Sequence, residues 1–268
     1  MPGFAVDFHA HLTDTPSVEK LQALLARAGE AEVRLIITAA ARPEDFPLVK
    51  HLKNEYNQET NTGKPTVWGA FGVHPWYAGQ VSSDWEEVLR RALAEGERPI
   101  VGEIGLDYGP KGLAAASKEA QRIFFRRQLE IAEELAIPSV IHSFRAGSEA
   151  IETAAEFRRI PRVLFHGFVD SLPRGTEEER FFFSYSPREV GVGQRKGRDM
   201  VRRLAERIPE QILPESDWPA RGNEPAGIPE TISLLEELGA RPIQGTERFL
   251  SVFNLSMFGI DRSPKVSE

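Results

Sequence analysis

The amino-acid sequence predicts an α/β protein whose fold is a (β/α)8 (TIM) barrel. Eight short runs rich in Val, Ile and Phe alternate with longer amphipathic stretches along the 268 residues. Most of these runs are continuously apolar, which is typical of parallel strands covered on both faces. The length fits one such barrel, and no linker, internal repeat or low-complexity segment interrupts the alternation. We therefore expect a single domain over residues 1–268.

The strands are predicted at 4–9, 33–39, 67–73, 99–104, 138–142, 162–166, 181–185 and 211–215. This alternation of strands and helices favours a closed barrel over an open doubly wound sheet. The connection after the sixth strand is the exception, because "GFVDSLPRGTEEER" is polar and contains Pro173 and Gly175. Proline and glycine disfavour helix interiors, so we expect the sixth helix to be short or missing.

The helices are predicted from amphipathic periodicity and from capping residues. The first opens with Thr15 and Pro16 as cap and first turn, and the helix after the third strand is capped by Ser82 or Ser83. The predicted helices are 15–29, 83–96, 117–138, 229–240 and 247–259.

Composition and charge restrict the functional classes. With 33 Lys and Arg against 40 Asp and Glu, the net charge is −7, which gives no bulk attraction for nucleic acid. An acidic protein can still act on phosphates when metals and a few local cations carry that task. The chain contains no cysteine, so disulfides, thiolate catalysis and cysteine-type zinc sites are excluded. Any metal must then be held by His, Asp and Glu.

The chain shows no membrane or export signal. No apolar run approaches the roughly 18 residues that a membrane helix needs, and the amino-terminal residues lack the basic and apolar regions of a secretory signal. Together with the absence of cysteine, this predicts a cytoplasmic protein that does not associate with membranes. The oligomeric state is left open.

Metal-binding side chains cluster at the carboxyl ends of the predicted strands. Five of the six histidines lie there with three carboxylates, whereas His51 falls within a helix. His9 and His11 are two residues apart, so their side chains share one face of an extended chain. In a (β/α)8 barrel these strand ends converge on one mouth, and structural needs do not explain five histidines there. The candidates are His9, His11, His74, Glu103, His142, His166, Glu215 and Asp217.

Imidazole and carboxylate ligands suit zinc, manganese, iron or magnesium ions. Six of these eight side chains acting as ligands would already exceed the four that one structural zinc ion requires, and two ions bridged by a carboxylate would use all six. A two-metal site can hydrolyse a phosphodiester, and it can equally activate water for attack on a small-molecule amide, ester or lactone. A non-enzymatic barrel retained for protein contacts is a third interpretation, although a scaffold has no need of convergent ligands.

Seven stretches, in order, resemble those of the TatD-type deoxyribonucleases, which are metal-dependent hydrolases of the amidohydrolase superfamily. His-x-His alone is weakly specific, but the ordered set is strong, particularly "GEIGLD" together with "IHS". The stretches span nearly the whole chain. They are "DFHAHLTD" (7–14), "FGVHPWYA" (71–78), "VGEIGLDYG" (101–109), "QRIFFRRQLEIAEELAIPSVIHSFRA" (121–146), "FHGF" (165–168), "FFFSYSP" (181–187) and "ILPESDWP" (212–219).

The resemblance implies hydrolysis of DNA phosphodiester bonds by a metal-activated water, with single-stranded DNA or 3′ ends as the substrate. It also implies divalent metal ions as cofactors, and we expect two, of Mg²⁺, Zn²⁺ or Mn²⁺. By motif, one ion would be held by His9, His11, Glu103 and Asp217, and the second by Glu103, His142 and His166.

The motifs imply further roles for individual residues. Glu103 would bridge the two ions, and Asp217 would accept a proton from the attacking water. Glu215 would be either a further metal ligand or a hydrogen-bond partner of one. His74 would face the scissile phosphate, and Asp107 would either orient a ligand or cap a loop.

Four departures from the family motifs surround the expected substrate mouth. Arg145 stands where the family often has an acidic residue, and Trp76 replaces the second histidine of "GxHPH". The usual "HCFTG" is "HGFVD" here, and "ETD" is "ESD". None of them removes a predicted ligand, so they affect the expected substrate more than the expected reaction.

Basic and aromatic residues near the mouth are the substrate-binding candidates. Cations can attract phosphates and aromatic rings can stack on bases, although ordinary packing explains the rings about equally well. Arginines from about Asp199 onward are expected on a solvated helix face. The candidates are Arg188, Arg221, Trp76 and Tyr77, with Arg195 and Lys196 as further cations.

Overall fold

The structure, a computed structural model, describes residues 4–57, 63–173 and 176–253. Eight parallel strands form one sheet in chain order, so each strand pairs with the next along the sequence. Helices connect most of them, which confirms the predicted (β/α)8 barrel. The strands are β1 (Ala5–Ala10), β2 (Val33–Ala39), β3 (Thr66–Phe71), β4 (Ile100–Asp107), β5 (Ser139–Phe144), β6 (Val163–His166), β7 (Phe181–Tyr185) and β8 (Ile212–Pro214).

Burial on both faces explains the continuously apolar strand sequences. One hydrophobic cluster draws at least one side chain from every strand, including Val6, Leu35 and Leu164, and fills the barrel interior. Strand residues of the opposite parity, such as Phe165, pack outward against the helices. An alternating pattern is needed only where one face of a sheet meets water, and every predicted strand overlaps an observed one.

The segment after β8 joins the sheet to β1. The Asp217 N–H donates to the His9 carbonyl at 3.0 Å, and the His11 N–H donates to the Trp218 carbonyl at 2.8 Å. The fully buried Asp7 carboxylate accepts hydrogen bonds from Ser216, from its N–H at 2.9 Å and its hydroxyl at 2.6 Å. These contacts bring the end of β8 beside the end of β1, where His9 lies.

The amino-terminal end of the barrel is closed by a helix. The Phe249 ring packs edge-on against Phe8 and Phe182, with ring centroids 5.2 Å apart in both pairs. Arg162, which directly precedes β6, donates to the Arg248 carbonyl at 3.2 Å. This end is therefore apolar and covered, whereas the opposite end carries the polar candidates.

Ten α-helices lie among the described residues. They are α1 (Val18–Glu30), α2 (Phe46–Tyr56), α3 (Trp85–Ala94), α4 (Pro110–Ala115), α5 (Lys118–Leu135), α6 (Gly147–Glu156), α7 (Pro187–Val190), α8 (Arg195–Ala205), α9 (Ile228–Glu237) and α10 (Pro242–Leu250). In this part of the chain, no helix has both the length and the apolar character needed to cross a bilayer.

The predicted cap of α1 is wrong by two residues. Ser17 occupies the cap position, and its hydroxyl accepts a hydrogen bond from the Lys20 N–H at 3.3 Å. The Thr15 hydroxyl is engaged elsewhere, because it accepts the indole N–H of Trp218 at 3.0 Å.

The predicted cap of α3 is also wrong. Asp84 occupies the cap position and makes no side-chain capping bond. Ser82 instead begins the preceding turn, since its carbonyl accepts the Trp85 N–H at 3.2 Å. Ser83 lies within that turn.

The last helix begins earlier in the chain than predicted. α10 begins at Pro242, a residue suited to a first helical turn, so it begins before the predicted 247–259. The part of that range beyond 253 lies outside the described residues.

Between β6 and β7, the described residues 167–173 and 176–180 contain no helix. This confirms the expectation of a short or missing sixth helix.

Candidate active site

The Glu103 carboxylate lies at the centre of the candidate site. It extends from β4, is 1% exposed, and faces imidazoles from β1, β5 and β6. Its Oε1 is 2.7 Å from His166 Nε2 and 2.9 Å from His142 Nδ1. Its Oε2 is 3.2 Å from His11 Nε2 and 3.5 Å from His9 Nε2. Each carboxylate oxygen therefore faces a different pair of histidines.

The imidazoles are also close to one another. The Nε2 atoms of His9 and His11 are 3.2 Å apart, and His142 Nδ1 is 3.0 Å from His166 Nε2. The rings of His9 and His166 stack with their centroids 4.1 Å apart. Strand ends that are far apart in sequence thus place four imidazoles around one carboxylate.

Three groups of side chains have donor atoms close enough to share an ion. Within each group these atoms lie within 4.8 Å of one another. Glu103 Oε2 and one ring nitrogen each of His9, His142 and His166 are buried without a well-aligned hydrogen bond. Buried polar atoms normally have partners, and imidazole and carboxylate donors suit divalent cations, so this cluster is able to bind metal. The groups are His9, His11 and Glu103; His9, His166 and Asp217; and His74, Glu103 and His142.

Burial and charge oppose each other in this cluster. Burial alone would raise the pKa of the Glu103 carboxyl, but the imidazoles of His166 and His74 help to hold that pKa well below its usual range. Burial also opposes the charged form of His166, yet the carboxylates of Glu103 and Glu215 raise the pKa of His166 well above its ordinary value. Glu103 is therefore an anion, which is the form that binds a cation.

His74 follows β3, and its hydrogen bonds indicate a proton donor. Its Nδ1 accepts the backbone N–H of Trp76 at 3.2 Å. Burial lowers the pKa of His74 to about 3, so the ring is neutral and Nε2 carries the proton. This Nε2 lies 3.6 Å from Glu103 Oε1. In this tautomer the Nε2 proton can be donated to an anionic oxygen, which is compatible with the expected phosphate-facing role.

Glu215 lies behind His166 and has both oxygens engaged. Oε1 accepts the Gly167 N–H at 3.1 Å and lies 3.6 Å from His166 Nδ1. Oε2 accepts the Ser184 hydroxyl. Of the two roles expected for Glu215, these contacts favour a partner that orients His166 over a direct metal ligand.

Asp217 and Arg188 form an ion pair at the mouth. Arg188 lies in the first turn of α7, and its Nη1 is 3.1 Å from Asp217 Oδ2. Asp217 adopts a left-handed backbone conformation, with φ 50°. The Arg188 side chain is 43% exposed. The pair therefore places an accessible cation beside the expected catalytic carboxylate.

Trp76 and Asp107 link the mouth to His142. The Trp76 indole N–H donates to Asp107 Oδ2 at 2.6 Å, and the same oxygen is 3.5 Å from His142 Nε2. The other oxygen, Oδ1, accepts the Gly109 N–H at 2.7 Å. Asp107 thus lies close to a candidate ligand and accepts a hydrogen bond from the loop before α4, which is compatible with either expected role.

The remaining substrate candidates lie near this rim. Tyr77 is partly exposed, and the Arg42 guanidinium lies 5.0 Å from the centre of its ring. Arg221 lies in the short 3₁₀ helix Ala220–Gly222 after Asp217. The side chain of Arg221 lies outside the described part of the chain.

The decisive comparison is with protein families. The family model described as TatD related DNase matches residues 6–259. This chain belongs to the TatD-related DNase family. The resemblance inferred from the motifs is thereby confirmed, and the match covers every residue of the Glu103 cluster.

Individual relatives and a solved structure agree with this membership. Deoxyribonuclease TATDN3 of Homo sapiens is 30% identical over 233 residues, which cover 82% of this chain and 79% of the relative. The 3'-5' ssDNA/RNA exonuclease TatD of Erwinia billingiae is 26% identical and covers 87% of this chain and 90% of its own length. The crystal structure of YjjV, a TatD homolog from Escherichia coli K12, superposes with a TM-score of 0.76 at 26% identity, covering 94% of this chain and 98% of YjjV.

The departures of this TatD-family chain from its family motifs lie around the cluster. Trp76 contacts Asp107, as described above. Arg145 is exposed with φ 57°, and its guanidinium lies 5.6 Å from the centre of the Phe144 ring. Asp170, the last residue of "HGFVD", accepts the Gly147 N–H at 3.0 Å. All of these contacts leave the donor atoms of the cluster in place.

Sequence reasoning missed three polar residues that support the site. Asp7 holds Ser216 beside the end of β1, and Ser184 holds Glu215. Asp7 could have been found, because it is a carboxylate in a buried strand, two residues before His9 and on the same face. Ser184 and Ser216 carry no such signal, since small hydroxyl residues occur at many buried and exposed positions.

Proposed function

We propose that this chain is a two-metal nuclease that hydrolyses phosphodiester bonds of DNA, acting on single-stranded DNA or 3′ ends. The observation that carries the proposal is the Glu103 carboxylate, whose two oxygens face separate pairs of histidines. The relatives support the substrate class, since one is named a deoxyribonuclease and another a 3'-5' ssDNA/RNA exonuclease. The net charge of −7 is compatible with this substrate because metal ions and local cations would meet the phosphates.

The ligands are proposed in two sets that share Glu103. An imidazole-rich donor set favours Zn²⁺ over Mg²⁺ and Mn²⁺, which are better suited to oxygen ligands. Bound ions would lower the pKa of water and stabilise charge on the attacking and leaving oxygens. The first set is His9, His11, Glu103 and Asp217. The second is Glu103, His142 and His166, with Glu215 as the partner that orients His166. Asp217 has a donor atom close to those of His9 and His166, so it lies beside both sets.

The side chains of this protein would supply the remaining steps. Asp217 accepts a proton from the attacking water. The proton on His74 Nε2 is donated to a non-bridging phosphate oxygen, and the Arg188 guanidinium neutralises the phosphate charge. Trp76 and Tyr77 are partly exposed, and their rings are proposed to stack on a base. Arg221, which follows Asp217 closely in the chain, is proposed as a second phosphate-binding cation.

Nucleotide release from single-stranded DNA is expected in the presence of Mn²⁺, Zn²⁺ or Mg²⁺, and it should stop when a chelator is added. The assay compares single-stranded DNA, duplex DNA and RNA of one sequence with each metal in turn. A panel of small esters, amides and lactones is run in parallel. Activity on that panel without cleavage of any nucleic acid would replace the proposal with a small-molecule hydrolase. Inactivity on every substrate by a protein that contains no metal would favour the scaffold interpretation.

Metal removal is expected to lower the melting temperature by about 5 to 10 °C. A ligand that binds only the folded state, present at about 100 times its Kd, adds about 2.7 kcal/mol. For a chain of this length, each kcal/mol corresponds to about 2 to 4 °C. Thermal unfolding is measured on protein first shown to contain metal, with and without EDTA. The Glu103→Gln variant is the control, because EDTA should shift it much less. Superimposable curves for the metal-loaded wild type would contradict the prediction.

A further inference from the structure

A cleft of about 520 Å³ lies between the segment that follows β6 and helix α8. Residues 169–171 form one wall, and one face of α8, from Arg195 to Arg203, forms the other. Residues 169–171 and the start of α8 follow the carboxyl ends of β6 and β7, so one end of the cleft lies on the same side of the barrel as Glu103, and the cleft extends from there along α8. It remains open because, in the described residues between β6 and β7, no helix covers this side of α8.

The acidic side chains of the cleft are already engaged. Asp170 accepts the backbone N–H groups of Gly147 at 3.0 Å and Ser171 at 2.9 Å. Asp199 is shared by two arginines, with Arg202 Nη1 at 3.0 Å. These contacts offset much of the negative charge that the two carboxylates would otherwise present.

The basic side chains of the cleft have fewer ion-pair and hydrogen-bond partners than its acidic side chains. Lys196 and Arg203 are exposed along its wall, and among the described residues neither has an ion-pair partner. Arg195 adds a third cation, with its side chain 93% exposed and its Nε 3.5 Å from Asp199 Oδ2. In a chain with a net charge of −7, three cations against two carboxylates make the lining of this cleft a locally positive exception. Such a cluster attracts a polyanion.

The cleft is connected to the candidate active site through packed structure. Arg188, which contacts Asp217, lies on α7, and α8 packs directly on α7. Gly197 of α8 approaches the Glu189 carbonyl so closely that a Cβ there would lie 2.0 Å from its oxygen. Arg198 Nη1 also donates to the Val190 carbonyl at 2.8 Å. Arg188 and the cations of α8 are therefore carried on one packed unit.

We propose that this cleft binds the phosphodiester backbone of the substrate strand, beyond the nucleotide that is being hydrolysed. The inference rests on the proposed nuclease function and adds a second contact region to it. A cavity of about 300 to 1,000 Å³ is typical of small-ligand sites, so there is room for a nucleotide unit. Contacts to phosphates position a strand without reading its sequence. The cleft would therefore favour long strands over short ones, whatever their sequence.

The test is a double variant, Lys196→Ala with Arg203→Ala, assayed on substrates of two lengths. On a single strand of about 20 nucleotides, kcat/KM should fall about tenfold at low salt. The slope of log kcat/KM against log salt should flatten by about 1.4, at about 0.7 for each lost phosphate contact on a single strand. Hydrolysis of a dinucleotide should not change. The control is Arg34→Ala with Arg241→Ala, which removes two cations near the amino-terminal end of the barrel.

A binding measurement separates this inference from the proposed function. Fluorescence anisotropy follows the metal-loaded protein with a labelled, hydrolysis-resistant phosphorothioate single strand of the same length. If wild type cleaves DNA but the double variant keeps its salt slope and affinity, the cleft inference is overturned and the nuclease proposal stands. If wild type binds the strand but cleaves nothing, and the double variant loses binding, the cleft inference stands and the nuclease proposal fails. A wild type that neither binds nor cleaves overturns both.

Discussion

Glu103→Gln is expected to reduce the rate of phosphodiester hydrolysis by at least about a hundredfold, the scale for disabling a principal electrostatic element. The carboxylate has two anionic oxygens, each within 2.7 to 3.5 Å of two histidines. Glutamine offers one good acceptor, and its NH₂ group would point at a cation. The two ion positions should therefore lose the anionic ligand that they share, and bound metal should fall with activity.

The fold should survive this substitution because it is nearly isosteric and the β4 backbone bonds are unchanged. The rate is measured on single-stranded DNA under saturating metal, and metal content is determined on the same preparation. Glu95→Gln is the matched control, since Glu95 is a half-exposed carboxylate paired with Lys50 on the outer helices. A Glu103→Gln variant that retains most of the activity and both ions would rule out the bridging role.

Asp217→Asn is expected to lower kcat by about a hundredfold to ten-thousandfold, the usual contribution of a positioned general base. An amide cannot accept the proton from the attacking water, although it can still accept the Arg188 guanidinium that lies 3.1 Å from the carboxylate. Asparagine also tolerates the left-handed backbone of this position, where φ is 50°. The loss should therefore fall on catalysis with little effect on folding.

Asp217→Ala provides the contrast. Alanine loses the same proton acceptor, but it is disfavoured in the left-handed region by about 1 to 2 kcal/mol. We expect both variants to be inactive and only the alanine variant to unfold at clearly lower denaturant concentration. Asp84→Asn is the control, because the Asp84 side chain is exposed and makes no capping hydrogen bond. Near-normal kcat in Asp217→Asn would assign proton transfer to another group.

Metal analysis distinguishes the two active-site variants. Glu103 belongs to both proposed ligand sets, whereas Asp217 belongs only to the first. Glu103→Gln should therefore reduce occupancy at both positions, and Asp217→Asn should reduce it by one ion at most. Equal occupancy in the two variants would argue against the proposed division of ligands.

The sequence alone was sufficient for the barrel and for the membership of the polar cluster. Apolar runs and helical periodicity are local properties, so they can be read without knowledge of tertiary contacts. The positions of His9, Glu103, His142 and His166 relative to their strands are equally local. Because parallel strands of a barrel end at one mouth, these separate observations already predict that the four side chains meet.

The helix caps were harder to predict, because a cap depends on which hydroxyl is free. Thr15 and Ser17 are both suitable capping residues by type. The choice between them is made by the Trp218 indole, which engages Thr15 from about 200 residues away in the chain. The sequence shows no sign of that contact.

Only the tertiary structure decided which partners the polar residues contact. Glu215 and Glu103 are both buried carboxylates near strand ends. The Ser184 hydroxyl and the Gly167 N–H donate hydrogen bonds to Glu215, which lies behind His166. Asp7 and Ser216, 209 residues apart, join the two ends of the sheet. The open cleft beside α8 likewise follows from a helix that is missing between β6 and β7 in the described residues. The physical reason is common to all three: hydrogen-bond partners and uncovered surfaces are set by distances across the fold, and these are not encoded by any local spacing.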